Sequence, residues 1–162
     1  MKKINILMID DNKNLIEMVK EYFKNNDNVN ITFAAYDGQQ GIEEIEKHQE
    51  NIDLILLDLI MPNKDGIYVL KEMKKRGINK KVIVATSYNA AEVIREVSEY
   101  GVSYYILKPF DLSDLEKRIY DITQKENNKQ NIDFYTSNIQ VSITKMLHEL
   151  GIPSHIKGYQ YI

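Results

Sequence analysis

The 162-residue chain contains no cysteine, which excludes a disulfide framework and thiolate chemistry and fits a reducing interior. It also lacks long apolar runs. The N-terminal stretch Ile4-Asn5-Ile6-Leu7-Met8-Ile9 is too short for a signal-peptide core and is followed at once by two acids. Nothing approaches the length of a membrane span, so a soluble, cytoplasmic protein with no membrane partner is expected. There is no excess of basic charge either. A net charge of -3 gives no overall footprint for nucleic acid. Finally, the first apolar run leads into "DDNKN" rather than a glycine-rich turn, so a dinucleotide-binding phosphate cradle is absent.

With 43% hydrophobic residues, the chain suffices for one compact domain and part of another. The most informative stretch is "NIDLILLDLIMPNKDG", residues 51–66. Its apolar run Leu54-Ile55-Leu56-Leu57 shows no alternation and is too short for a helix, which predicts a strand buried on both faces of a parallel sheet. Asp58 stands at the mouth of that strand. An acid there is costly unless something binds it, and ligands of such sheets sit outside the carboxyl ends of the strands.

Strand-like segments are predicted at Ile4–Ile9, Val29–Ala35, Leu54–Leu57, Lys81–Ala85 and Ser103–Leu107. Helical patterns lie between and after them. The first has Leu15, Val19, Tyr22 and Phe23 on one face and Asn12 as its cap. The second follows Asp37-Gly38 with Ile42 and Ile45. The third follows Asp65-Gly66 with Val69, Leu70 and Met73 and stops at Gly77. The fourth runs from about Ala90 to Tyr100 with Val93, Ile94 and Val97, and Gly101 stops it. The fifth starts near Asp111 with Leu115, Ile119 and Ile122. Five alternations predict an α/β domain with a parallel sheet and helices on both faces.

That domain spans residues 1–124, and the aperiodic "KENNKQN" opens a polar linker over 125–137. In residues 138–162, Ile139, Ile143, Met146, Leu147 and Leu150 make one helical face, ended by Gly151 and Pro153. A single helix and the start of a second cannot bury a core. On pattern alone two readings stand: the opening of an incomplete helical domain, or a helix that packs on the first domain or on a partner.

Strand one ends in Asp10-Asp11, strand three in Asp58, strand four in Thr86 and strand five in Lys108. Each alone has a bland explanation as a turn, a helix entry or a surface charge. Together they share one edge of the sheet, where three crowded carboxylates repel unless a cation neutralises them. An all-oxygen ligand set points to Mg2+, or to another hard divalent cation such as Mn2+ or Ca2+. Lys108 adds a positive charge suited to a phosphoryl oxygen.

The set "MIDDN", "LLDLIMPNKDG", "VATSYN" and "YYILKPF", in this order, resembles the response-regulator receiver family over residues 1 to about 124. The resemblance implies a doubly wound five-stranded parallel sheet of order 2-1-3-4-5 and phosphorylation of Asp58 by a histidine kinase or histidine phosphotransferase. Asp11 would bind the cation directly, Asp10 largely through water, and the Ile60 carbonyl would be a further ligand. Thr86 and Lys108 would hold the phosphoryl oxygens, and Lys108-Pro109 would be a cis peptide. Tyr105 matches the family's switch aromatic, on a face where such domains dimerise or meet partners. Its bland alternative is a half-exposed strand residue. Ile60 and Tyr88 occupy positions that influence water attack, and neither is acidic or an amide, so a slowly hydrolysing phosphoaspartate is expected. The chain would be a regulatory phosphoacceptor that assists its own phosphotransfer, not an enzyme. A phosphatase of the haloacid-dehalogenase type would need a second acid where Ile60 stands.

The segment "SITKMLHELGIPSHIKGYQYI" is similar to the opening of the DNA-binding domain in the stage-zero sporulation protein A family of spore-forming Firmicutes. That resemblance favours an incomplete domain and implies phosphorylation-driven homodimerisation and transcription control of sporulation. Promoter DNA would be reached only through the missing part. His148 and His155 have no cysteine or acid at partner spacing and are not expected to bind zinc. The alternative role is a single-domain phosphate shuttle or a partner-binding receiver.

Overall fold

The computed structural model describes residues 3–124, 133–136 and 139–142. Five strands, β1 (Ile4–Ile9), β2 (Val29–Ala35), β3 (Leu54–Leu57), β4 (Lys81–Thr86) and β5 (Tyr104–Leu107), form a parallel sheet in the order 2-1-3-4-5. Helices α1 (Lys13–Phe23), α2 (Gly38–His48), α3 (Gly66–Lys75), α4 (Ala91–Ser98) and α5 (Leu112–Gln124) alternate with them.

Side chains alternate across a strand, and here both faces are apolar. Leu7, Ile9, Ile55, Leu57, Val82, Val84 and Tyr105 pack toward Ile42, Ile45, Val69, Leu70, Met73, Ile94 and Val97 of α2, α3 and α4. Ile6, Met8, Leu54, Leu56, Ile83, Ala85 and Ile106 meet Ile16, Val19, Phe23, Leu115, Ile119 and Ile122 of α1 and α5. Each large side chain so buried contributes about 1.5–3 kcal/mol, which is why the continuous apolar runs settle at the centre of the sheet. On α1 the inward face is Ile16, Val19 and Phe23, whereas the periodicity had favoured Leu15 and Tyr22. Leu15 is half-buried, and Tyr22 is exposed with its hydroxyl on Glu116.

Local signals set the helix ends. The side chains of Asn12, Asp37 and Asp65 cap α1, α2 and α3 by accepting the backbone N–H of Leu15, Gln40 and Tyr68. Gly77 and Gly101 stop α3 and α4 with φ of +70° and +74°, a region that disfavours residues with a Cβ.

The sheet continues past the expected domain. Strand β6 (Asp133–Thr136) pairs parallel with β5, and β7 (Ile139–Ser142) pairs antiparallel with β6. Residues 133–136 fall in the stretch expected as linker, and Ile139 starts a strand where a helix was expected. The reason is visible in "DFYT" and "IQVS", two aromatic or β-branched tetrads two residues apart, which are as compatible with a hairpin as with a short helical face. The edge of β5 supplies the row of backbone donors and acceptors that β6 completes. The rest of the expected tail helix, from Ile143 onward, lies outside the described residues. Among the described residues, no helix is long and apolar enough to cross a membrane.

Candidate functional site

Just past the ends of β1, β3 and β5, backbone hydrogen bonds tie β1 to β2, β3 to β1 and β5 to β4. Asp10 N–H donates to the Ala35 carbonyl at 3.0 Å, Asp58 N–H to Ile9 at 2.9 Å and Lys108 N–H to Thr86 at 2.9 Å. The backbone under each polar side chain is therefore fixed by the ladder itself, while the apolar residues just before it anchor the strand in the core. Asp10 and Asp58 are buried and Asp11 is exposed, and carboxylate oxygens of the three lie within 4.8 Å of one another.

Lys108 enters this cluster from β5. Its Nζ is 2.7 Å from Asp10 Oδ2 and 3.2 Å from Asp58 Oδ2. Asp10 Oδ1 accepts the Asn12 N–H at 2.9 Å, and Asp58 Oδ1 accepts the Ile60 N–H at 3.3 Å. Burial pushes the Asp10 carboxyl above its ordinary value, against the lowering pull of the Lys108 hydrogen bond. For Lys108 burial opposes the charge, but the hydrogen bond to Asp10 and the charge of Asp58 outweigh it and hold the ammonium above its usual range. Lys108 is thus a permanent cation at neutral pH.

Three carboxylates against one ammonium leave a formal excess of two negative charges in a half-enclosed site. That excess, and a donor set made only of oxygen, fit a hard divalent cation of the Mg2+ or Ca2+ type. Asp10, Asp11 and Asp58 are the residues that would hold it.

Thr86 and Tyr105 lie beside this cluster but are joined through Tyr88. Thr86 is buried, and its Oγ1 accepts the Tyr88 N–H at 3.3 Å. The Tyr105 hydroxyl donates to the Tyr88 carbonyl at 2.6 Å. Tyr105 is fully buried, not half-exposed, and burial followed by the Asp58 charge raises its hydroxyl pKa. The peptide Lys108-Pro109 is cis. Ile60 and Tyr88 stand at the rim, 52% and 44% exposed. The linking role of the Tyr88 backbone was invisible in the sequence, because it depends on main-chain atoms that any residue carries.

Residues 6–120 match the family model of the response regulator receiver domain. Solved structures agree. The receiver domain of the Francisella response regulator 1452 is 30% identical with a TM-score of 0.68, covering 76% of this chain and 98% of its own. CheX–CheY–BeF3–Mg2+ from Borrelia burgdorferi gives 25% identity and a TM-score of 0.67, covering 74% and 88%. A two-component response regulator from Clostridium difficile shares the fold, with 24% identity, a TM-score of 0.69 and coverage of 78% and 100%.

Proposed function

This chain belongs to the response regulator receiver domain family, and from that premise we propose that it accepts a phosphoryl group on Asp58 from a phosphohistidine donor, with Mg2+ held by Asp10, Asp11, Asp58 and the Ile60 carbonyl. The observation that carries this reading is the placement of buried Asp58 between Lys108 and two further acids. Three acids exceed the charge of the one ammonium beside them, so their crowding is costly unless a further cation meets it.

A carboxylate oxygen of Asp58 attacks the phosphorus, the P–N bond to the donor imidazole breaks, and an acyl phosphate forms on Asp58. A divalent cation held by Asp10, Asp11 and Asp58 would supply neutralisation of the negative charge that gathers during transfer. Lys108, released from its bond to Asp58, pairs with a phosphoryl oxygen. Thr86 Oγ1 accepts from Tyr88 and keeps its own proton to donate to another phosphoryl oxygen. Drawing Thr86 inward pulls on the Tyr88 backbone, which carries the acceptor of the Tyr105 hydroxyl. Tyr105 on β5 is thereby the switch between site and surface. The test for this step is Tyr105→Ala, which should uncouple phosphorylation from self-association; unchanged association removes Tyr105 from the mechanism.

For the output, we infer homodimerisation that controls transcription of sporulation genes in the cytoplasm. Support comes from "HELGIPSHIKGYQY" in the tail, which lies outside the described residues. A second reading is a phosphate shuttle or partner-binding receiver that never reaches DNA. It is favoured by the pairing of β6 with β5, which makes part of the tail an extension of the receiver sheet. The acceptor chemistry is tested by 31P NMR with phosphoramidate and Mg2+. An acyl-phosphate resonance that chelation prevents is expected; its absence with Mg2+ present counts against the reading.

A further inference from the structure

Helices α2 and α3 begin alike, with a capping aspartate followed by glycine: Asp37-Gly38 and Asp65-Gly66. Glycine is among the least favourable residues in a helix, and neither position uses its conformational freedom, since positive φ occurs at Gly77 and Gly101 instead. What these two positions need is space. A Cβ at Gly66 would run into the Asp58 carbonyl oxygen and lie 2.7 Å from Leu59 Cα. A Cβ at Gly38 would lie 2.5 Å from the Lys64 carbonyl oxygen and 2.8 Å from that of Asp65. These neighbours are backbone atoms and cannot rotate away.

The close approach is also hydrogen-bonded. Gly66 N–H donates to the Leu59 carbonyl at 3.0 Å and Gly38 N–H to the Lys64 carbonyl at 2.6 Å. Asn63 Nδ2 adds a bond to Asp37 Oδ2 at 3.3 Å. Bare backbone from two helix starts thus grips both ends of residues 58–65, the segment that carries Asp58 and Ile60.

We propose that Gly66, backed by Gly38, is a positioning residue for the cation site, holding the Asp58 carboxylate and the Ile60 carbonyl at distances that one ion can bridge. This rests on the phosphoacceptor reading above. An alanine at either glycine displaces backbone on the segment that supplies both ligands, and outer-shell disruptions of this kind weaken metal binding by about 10–100-fold.

The test is the affinity of the unphosphorylated protein for Mn2+, read from the EPR signal of the free ion, alongside the thermal midpoint. Wild type is compared with Gly66→Ala and with Val69→Ala, which opens a cavity on the buried face of the same helix and leaves the backbone contacts of Gly66 and Gly38 unchanged. Gly66→Ala should bind Mn2+ about 10–100-fold more weakly, while Val69→Ala loses thermal stability and binds as wild type does. Wild-type affinity in Gly66→Ala overturns the proposal, as does equal weakening in Val69→Ala. If Gly66→Ala fails to fold, Gly38→Ala carries the same expectation and the same contradiction. A wild-type protein that takes up no Mn2+ overturns the cation site itself, a result distinct from failure of the glycine clamp alone.

Discussion

Ile60 and Tyr88, each two residues beyond a site residue, are exposed and bond through their backbone N–H to Asp58 and Thr86. Hydrolysis of an acyl phosphate needs a water held in line, and an acid or amide at either position would orient one by hydrogen bonding. Isoleucine carries no polar side-chain atom, and tyrosine is neither an acid nor an amide. A long-lived phosphoaspartate is therefore expected, and Ile60→Asn should shorten its life. Following the decay of the phosphorylated mass in Mg2+ buffer checks this; decay of the wild type within seconds would contradict it. At this scale the convergence of the cluster was legible in the sequence, its chemistry being the proposal above. Asp10, Asp11, Asp58 and Lys108 were readable because each follows an apolar strand, and strand ends in a parallel sheet share an edge. The contact of Tyr105 with the Tyr88 carbonyl was not, since no side-chain pattern encodes it.

At the scale of elements, α1 is fastened to α5 by one carboxylate. Glu116 accepts from the Tyr22 hydroxyl at 2.8 Å, the Tyr120 hydroxyl at 2.9 Å and Asn26 Nδ2 at 3.1 Å. Burial acts to raise the Glu116 pKa, but these three donors together outweigh it and hold the carboxyl below its usual range. A lowered folded value stabilises above the unfolded pKa near 4.5, and the gain is lost as pH falls through the folded value. Glu116→Gln should cost about 1 kcal/mol at neutral pH, since bonds to a charged group are worth more than neutral ones but this site is partly exposed to water. Urea unfolding at pH 7 and again below pH 4 would check it; a difference that persists undiminished in acid would contradict the role of the charge. The latch also explains why Tyr22 leaves the apolar face that its spacing suggests. Periodicity ranks Tyr22 as apolar, whereas its hydroxyl finds a partner 94 residues away on another helix. Long-range partners leave no local signal.

For the whole molecule, the two-faced core and the crowded acidic edge oppose each other. Burial pushes the Asp10 carboxyl above its ordinary value, and three acids share one corner. A divalent cation should relieve both strains and stabilise the native state by mass action, about 2.7 kcal/mol at a hundredfold excess over Kd. Thermal unfolding with and without Mg2+ should show a rise of several degrees at neutral pH that Asp11→Asn diminishes. It should fade as pH drops into the carboxylate range, where protons compete for the same oxygens. The five-stranded architecture was legible because strand runs and amphipathic helices alternate without ambiguity. The continuation of the sheet through β6 and β7 was not, because tetrads such as "DFYT" and "IQVS" carry too few residues to separate a period of two from one of 3.6. Their strand character follows from the open edge of β5, a property of the assembled sheet.

The most direct measurement is intact mass after incubation with acetyl phosphate and Mg2+, for the wild type, for Asp58→Asn, and for the wild type with a chelator. A gain of one phosphoryl group in the wild type with Mg2+ alone is the expected result. No gain, or an equal gain in Asp58→Asn, would contradict Asp58 as the phosphoacceptor.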